Sequence, residues 1–226
     1  MSNRYIISLG GSLIVPDEID VGFLRQFKSL IESEVKKGNK FILITGGGKT
    51  SRRYSEAAKN LGDLNSDDLD WLGIHSTRLN GHLLRTILRK IAHPEIITNP
   101  KSKIVTDKPV IIAAGYRPGW STDYDAVLLA EQYKANILLN LSNIDYVYDK
   151  NPKKYKNAKP LKQISWRDFR KIVGSKWDPG LNLPFDPVAS KLGEKLKLKV
   201  AVLNGKSLKD IKKFLANEPF KGTIIG

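Results

Sequence analysis

Cysteine is absent from the chain, and with it disulfides, iron–sulfur clusters and thiolate zinc sites. Histidine is scarce: His75, His82 and His93 are too scattered to form a metal cluster. Any metal is therefore expected to be a Mg²⁺ held by oxygens and substrate phosphates. No apolar run approaches the roughly 18 residues of a membrane helix, and the first residues lack the basic start and apolar middle of a signal peptide. A soluble cytoplasmic protein with no membrane partner is expected. Acidic residues are also in deficit, 23 against 38 Lys and Arg, leaving a formal net charge of +15. Such a balance points to an anionic partner. The densest basic stretch, Asp149–Lys162 (DKNPKKYKNAKPLK), interleaves Tyr155 alone among aromatics, so it lacks a stacking platform for nucleic acid. It reads as a solvated loop. Nucleic acid is not the expected partner, and RNA binding through this loop stays open as an alternative.

A Walker A loop is missing as well. The stretch ITGGGKTSRR (Ile44–Arg53) ends like one in Gly48-Lys49-Thr50, but the spacing requires a glycine where Leu43 stands. What remains is an apolar run, three glycines and a segment able to be helical. Amides at a helix N-terminus bind anions, and glycines let the anion approach. The same residues also fit a tight strand-to-helix turn.

What is present is an alternation. Tyr5–Leu9, Phe41–Thr45, Val110–Ala114, Ile137–Leu141 and Val200–Leu203 read as buried strands. Between them Leu24, Phe27 and Ile31, and again Leu79, Leu83, Ile87 and Ile91, recur at helical spacing. Alternating strands and helices imply an α/β fold with a largely parallel central sheet, and 226 residues suffice for one domain spanning 1–226. Ligands in such sheets bind beyond the carboxyl ends of the strands. Four motifs fall there: Gly10-Gly11-Ser12, Gly46-Gly47-Gly48, Gly115–Asp123 (GYRPGWSTD) and Ser142–Pro152 (SNIDYVYDKNP). Two glycine clusters at two parallel-strand ends suit phosphates of two different groups, as phosphoryl transfer requires. Ser121 or Thr122 is placed to cap a helix beginning near Asp123. Asp186-Pro187 reads as an N-cap followed by proline at the first helical position, which puts Lys191 on the second turn. Asn151–Lys162 and Gly174–Pro184 (GSKWDPGLNLP) read as loops beside the proposed site.

In this order SLGGS, TGGGKTSRRY, DWLGIHSTRLNG, GYRPGWSTD before DAVLLAE, SNIDYVYDKNP, and FDPVASKL before LKVAVLNG resemble the amino acid kinase family. Within it they look like the uridylate kinases of the archaeal type, over nearly the whole chain. The resemblance implies a three-layer α/β/α sandwich and transfer of the γ-phosphoryl of Mg-ATP to UMP, giving UDP and ADP in pyrimidine nucleotide biosynthesis. It places Gly10, Gly11, Ser12, Gly48 and Arg52 against ATP, with Ser142, Asn143, Tyr148 and Asn151 around its adenine and ribose. Gly47, Asp70 and the loop Arg117, Pro118, Gly119, Trp120, Ser121, Thr122 and Asp123 would hold UMP. A carboxylate accepts two hydroxyl hydrogen bonds well, which suits Asp70 to a ribose. Asp145 and Lys191 take the catalytic roles, and no protein metal ligand is implied. A homo-oligomer is expected, a hexamer built as a trimer of dimers.

Three positions depart from the family pattern. Ser8 stands where many members carry a lysine that stabilises the transferring phosphoryl group. Asn151 replaces a common aspartate, and Tyr146 the usual glycine. Phosphoryl transfer relies on positioning and positive charge, so another cation must substitute, with Lys191 first and Lys49 or Arg52 able to share the role. The alternatives are a sister kinase for an acceptor such as isopentenyl phosphate, or a nucleotide-binding regulator that has lost turnover.

Overall fold

The computed structural model describes residues 3–152, 154–175 and 183–226. Its elements in chain order are β1 (Arg4–Leu9), α1 (Gly11–Ile14), α2 (Val21–Lys36), β2 (Lys40–Thr45), α3 (Gly48–Lys59), α4 (Ser66–Ile87), β3 (Ala92–Ile97), β4 (Val110–Ala113) and α5 (Thr122–Gln132). There follow β5 (Ile137–Ser142), β6 (Val147–Tyr148), β7 (Pro160–Leu161), β8 (Gln163–Ile164), α6 (Trp166–Val173), α7 (Pro187–Lys195), β9 (Lys199–Asn204), α8 (Leu208–Leu215) and β10 (Thr223–Ile225).

The apolar runs become an eight-stranded sheet in the order β3-β4-β2-β1-β5-β9-β10-β8. Its pairings are parallel except β9 with β10. Both faces are covered, because successive strand side chains point to opposite sides. Ile7, Leu9, Leu43 and Leu139 bury one face under α2, α4 and α8, with Phe27 and Phe214. Ile6, Ile42, Leu138 and Val200 bury the other under α5, α6 and α7, with Phe169 and Ala189. This is the expected three-layer α/β/α sandwich. The chain lays β2 and β4 on one side of β1 and then crosses to β5 on the other. The order therefore reverses at β1, where a crevice opens beyond the carboxyl ends.

Two readings need correction. Leu79 is 63% exposed, so the helical stripe turns outward at its start, whereas Leu83, Ile87 and Ile91 pack against the core. The face turned inward carries Ile74, Ser76, Thr77, Asn80, Gly81 and Leu84, and Ile91 lies beyond the helix end. The segment Asn151–Lys162 is not wholly a loop either: Pro160–Leu161 forms β7, antiparallel to β6. Most of the second expected loop, 176–182, lies outside the described residues.

Candidate active site

The two glycine clusters meet each other. A Cβ on Gly11 would sit 2.1 Å from the Gly48 nitrogen, and one on Gly48 would sit 2.4 Å from the Gly11 oxygen. Gly48 also adopts φ +67°, a region that disfavours side chains. Gly10 N–H donates to the Leu141 carbonyl (2.9 Å) and Gly46 N–H to the Leu9 carbonyl (3.0 Å), so the platform is stitched across β5, β1 and β2. The strand ends thus form one bare backbone surface in place of two separate cradles. Ser12 lies half-buried in the short α1 behind it.

On the β2 and β4 side five of the nine residues expected to take UMP line a cleft of about 570 Å³: Gly47, Asp70, Trp120, Ser121 and Thr122 share it with Arg52, whereas Arg117, Pro118, Gly119 and Asp123 lie outside its lining. Arg52, expected on the ATP side, therefore lies with the acceptor residues. Helix α4 builds this cleft through the polar face its hydrophobic pattern hides. Asn80 donates to the carbonyls of Gly46 (2.8 Å) and Gly47 (3.3 Å). The Thr77 hydroxyl accepts Gly115 N–H at 2.8 Å. Arg78 donates to the carbonyls of Gly115 and Tyr116. Asp70 accepts Gly119 N–H through Oδ2 (2.7 Å), which closes the loop onto the helix and leaves Oδ1 as its other acceptor. The helix starts from a capping box in which Asn65 and Asp68 satisfy each other's amides. In the loop the Arg117 guanidinium stacks on Trp120 at 4.3 Å, and Trp120 meets Tyr124 edge-on. Pro118 and Gly119 form its turn, Gly119 at φ +79°.

Behind the loop the carboxyl groups of Asp125 and Asp186 are buried, and Asp123 between them is half-buried. Asp125, fully enclosed, accepts Tyr116 N–H at 3.1 Å through Oδ2, while its Oδ1 has no hydrogen-bond partner among the described residues. Burial pushes its pKa up to about 7, against the opposing effects of the Tyr116 amide and Arg117. Asp123 does not line the cleft. It accepts the Ser8 hydroxyl (2.9 Å) and the Asp186 amide (3.2 Å). Asp186 caps α7 as expected, accepting Ala189 N–H at 2.6 Å. Its own pKa is raised by burial, despite hydrogen bonds from Ala189, Ser121 and Val188.

On the β5 and β9 side, Ser142 keeps a buried hydroxyl without a partner among the described residues. An orphaned hydroxyl at a strand end fits a polar ligand. Asn143 is exposed, Tyr148 half-buried in β6, and Asn151 exposed. Asp145 accepts from Asn204 (2.8 Å) and pairs with Lys221 (2.6 Å), and the Lys221 hydrogen bond, followed by that from Asn204, lowers its pKa. It thus ties the β5 end to the β9 end. Lys191 is exposed on the second turn of α7 and makes no ion pair among the described residues. Sequence reasoning missed Asp186 as a site residue because its cap signal explained it fully. Asn80 and Asn204 fell inside quoted motifs, DWLGIHSTRLNG and LKVAVLNG, without being singled out, and Lys221 gave no local signal.

Glycine-bare strand ends at a sheet's switch point, between an acceptor-sized cleft and a second polar rim, define a phosphate-binding α/β protein of the phosphotransferase type. The family model for the amino acid kinase family matches residues 3–204. The chain is 33% identical to a uridylate kinase of Thermoplasma volcanium, covering 100% of this chain and 98% of that one. It is 32% identical to one of Methanococcus aeolicus, covering 98% and 99%. The solved uridylate kinase of Archaeoglobus fulgidus superposes with a TM-score of 0.83 at 32% identity, covering 98% and 99%. The chain belongs to the amino acid kinase family.

Proposed function

We infer that the chain is a uridylate kinase, transferring the γ-phosphoryl of ATP to UMP to give ADP and UDP. Full-length similarity to archaeal uridylate kinases supports this. The observation that carries it at the site is the cleft in which Asp70, Gly47 and Trp120–Thr122 converge beside the glycine platform.

A UMP phosphate oxygen attacks the γ-phosphorus in line. The bond from the γ-phosphorus to the bridging oxygen breaks, and ADP leaves with the electron pair. The UMP phosphate, with a second pKa of about 6, is already ionised at neutral pH, so no general base is required. Catalysis then consists of positioning and charge stabilisation. The amides of Gly11, Ser12 and Gly48 face the phosphates, and Gly10, whose own N–H is taken by Leu141, keeps the approach free of a side chain. Asp70 takes the uridine ribose, and Arg52 and Arg117 supply positive charge at the acceptor. Ser142, Asn143, Tyr148 and Asn151 receive the ATP nucleoside, with Asp145 bracing that rim. Lys191 offsets charge on the moving phosphoryl group. Mg²⁺ bound to the ATP phosphates neutralises part of their charge. The activity serves pyrimidine nucleotide biosynthesis in the cytoplasm, and the chain assembles as a homo-oligomer, a trimer of dimers.

Asp70→Ala tests the acceptor assignment. KM for UMP should rise at least about tenfold, the worth of one or two hydrogen bonds to a charged group, while KM for ATP stays within about twofold. Equal rises in both would place Asp70 outside the acceptor site.

A further inference from the structure

The amino ends of the neighbouring strands β4, β2 and β1 border a second cavity, of about 260 Å³, at the opposite edge of the sheet from the glycine platform. Arg4 begins β1 and Lys40 begins β2, and the two are cross-strand partners, so their side chains leave the sheet on one face. Ile6 and Ile42, two residues further along each strand, share that face and pack under α5. The loop before β4 adds Lys103 and Lys108, and Ile104, Ile111 and Tyr133 give the cavity an apolar floor. Tyr133 pins the loop: its hydroxyl accepts Ile104 N–H (2.8 Å) and donates to the Ile104 carbonyl (3.3 Å). The Arg4 guanidinium lies 5.3 Å from the centre of the Tyr133 ring. Lys108 Nζ donates to the Lys90 carbonyl (3.2 Å), and the Thr106 hydroxyl accepts Lys108 N–H (3.2 Å) beside His93 Nδ1 (3.1 Å). Four cationic side chains thus line the cavity, and no carboxylate does. Asp107, in the same loop, lies outside the lining, and none of the four cations makes an ion pair among the described residues.

We propose that this cavity is a binding site for a small oligophosphate, held through its phosphate chain. Like charges gathered round one concavity repel each other, and a polyanion relieves that repulsion. Guanidinium and ammonium donors match phosphate oxygens, Arg as a fork and Lys as a point charge. Two of the cations are also placed by the fold, Arg4 on the buried Tyr133 ring and Lys108 on a backbone carbonyl, which sets them apart from freely solvated lysines. The volume is less than half the 570 Å³ of the acceptor cleft, which suits a phosphate chain better than a whole nucleotide. Strand β1 runs from Arg4 to Leu9, which sets the cavity roughly 17 Å from the platform, too far for a triphosphate chain to bridge. The site is separate from the kinase cleft, and the proposal does not depend on the uridylate kinase reading.

The test is calorimetric titration of the full chain with inorganic tripolyphosphate, with UMP and ADP saturating the kinase cleft. Salt at about 0.15 M screens the general pull of a +15 chain beyond about 8 Å. One saturable site per chain is expected. Arg4→Ala/Lys40→Ala should weaken it at least about tenfold, the worth of two lost charge-assisted hydrogen bonds. Lys195→Ala/Lys212→Ala, which removes two exposed charges elsewhere, and Lys191→Ala should each change it by less than about twofold. If Arg4→Ala/Lys40→Ala does not fold, Lys103→Gln/Lys108→Gln on the loop carries the same expectation. CTP in place of tripolyphosphate tells a free chain from one carried on a nucleoside. Equal affinity, lost in the same variants, supports recognition of the chain alone, and a site that takes CTP but not tripolyphosphate contradicts it. No saturation up to millimolar ligand, or an equal loss in Lys195→Ala/Lys212→Ala, overturns the proposal. Each of these results leaves the kinase reading standing, because acceptor-dependent ADP release tests that separately.

Discussion

At the scale of single residues, charge decides more than shape. Lys191 carries an exposed ammonium with no ion pair among the described residues, on the helix whose N-terminus is joined through Asp123 to Ser8. Lys191→Ala should lower kcat by about 10²-fold, the cost typical of one lost electrostatic stabiliser, with little change in UMP affinity by calorimetry. An unchanged kcat would remove Lys191 from the mechanism. Asp125 gives a stability prediction. Its pKa is raised in the fold, from 3.8 to about 7, so the unfolded chain ionises first as pH rises. Stability attached to this group is fully present below about pH 4 and is lost as pH climbs to about 7, by roughly 4 kcal/mol at most. Asp125→Asn should therefore melt higher than the wild type at pH 8, and the gap should close toward pH 4. A pH-independent gap would mean that Asp125 ionises normally in the folded chain. The sequence carried the identities of both residues but not this behaviour, because burial is a property of the neighbours. Asp123 shows the same limit: its motif placed it at the acceptor, whereas its side chain turns to Ser8 and Asp186.

At the scale of elements, legibility tracked hydrophobic contrast. The five buried strands and the α7 cap could be read from sequence because apolar runs and an Asp-Pro start have one physical interpretation. Strand β3 escaped: Pro94 and Glu95 interrupt its pattern, and its register with β4 shifts between Ala92 and Ile96. Strands β6, β7 and β8 are two residues each, too short for a period. Helix α4 was legible as a helix through Leu83 and Ile87, which pack on the core, but not through the polar face beside them that does the hydrogen bonding. That face matters most for the site. Asn80 supports both Gly46 and Gly47, so Asn80→Ala should leave a half-buried carbonyl without its partner and cost about 1 kcal/mol in chemical denaturation. It should also raise KM for UMP more than KM for ATP, because the Gly47 end lines the acceptor cleft. A stability loss without that kinetic asymmetry would make Asn80 a structural residue only.

At the scale of the molecule, the net charge of +15 faces two anionic substrates. Long-range attraction of this kind is screened within about 10 Å at 0.1 M salt, so kcat/KM for UMP should fall as ionic strength rises while kcat changes little. Sedimentation should show a species well above the 25.3 kDa of one chain at micromolar concentration, and a monomer would contradict the proposed oligomer. The central claim is that a glycine platform without a Walker loop, flanked by the Asp70 cleft, phosphorylates UMP. Its most direct test is ADP release from Mg-ATP with UMP, compared with CMP, AMP, isopentenyl phosphate and no acceptor. The account predicts turnover that depends on an acceptor and strongly prefers UMP. Preference for isopentenyl phosphate, or nucleotide binding with no turnover on any acceptor, would contradict it.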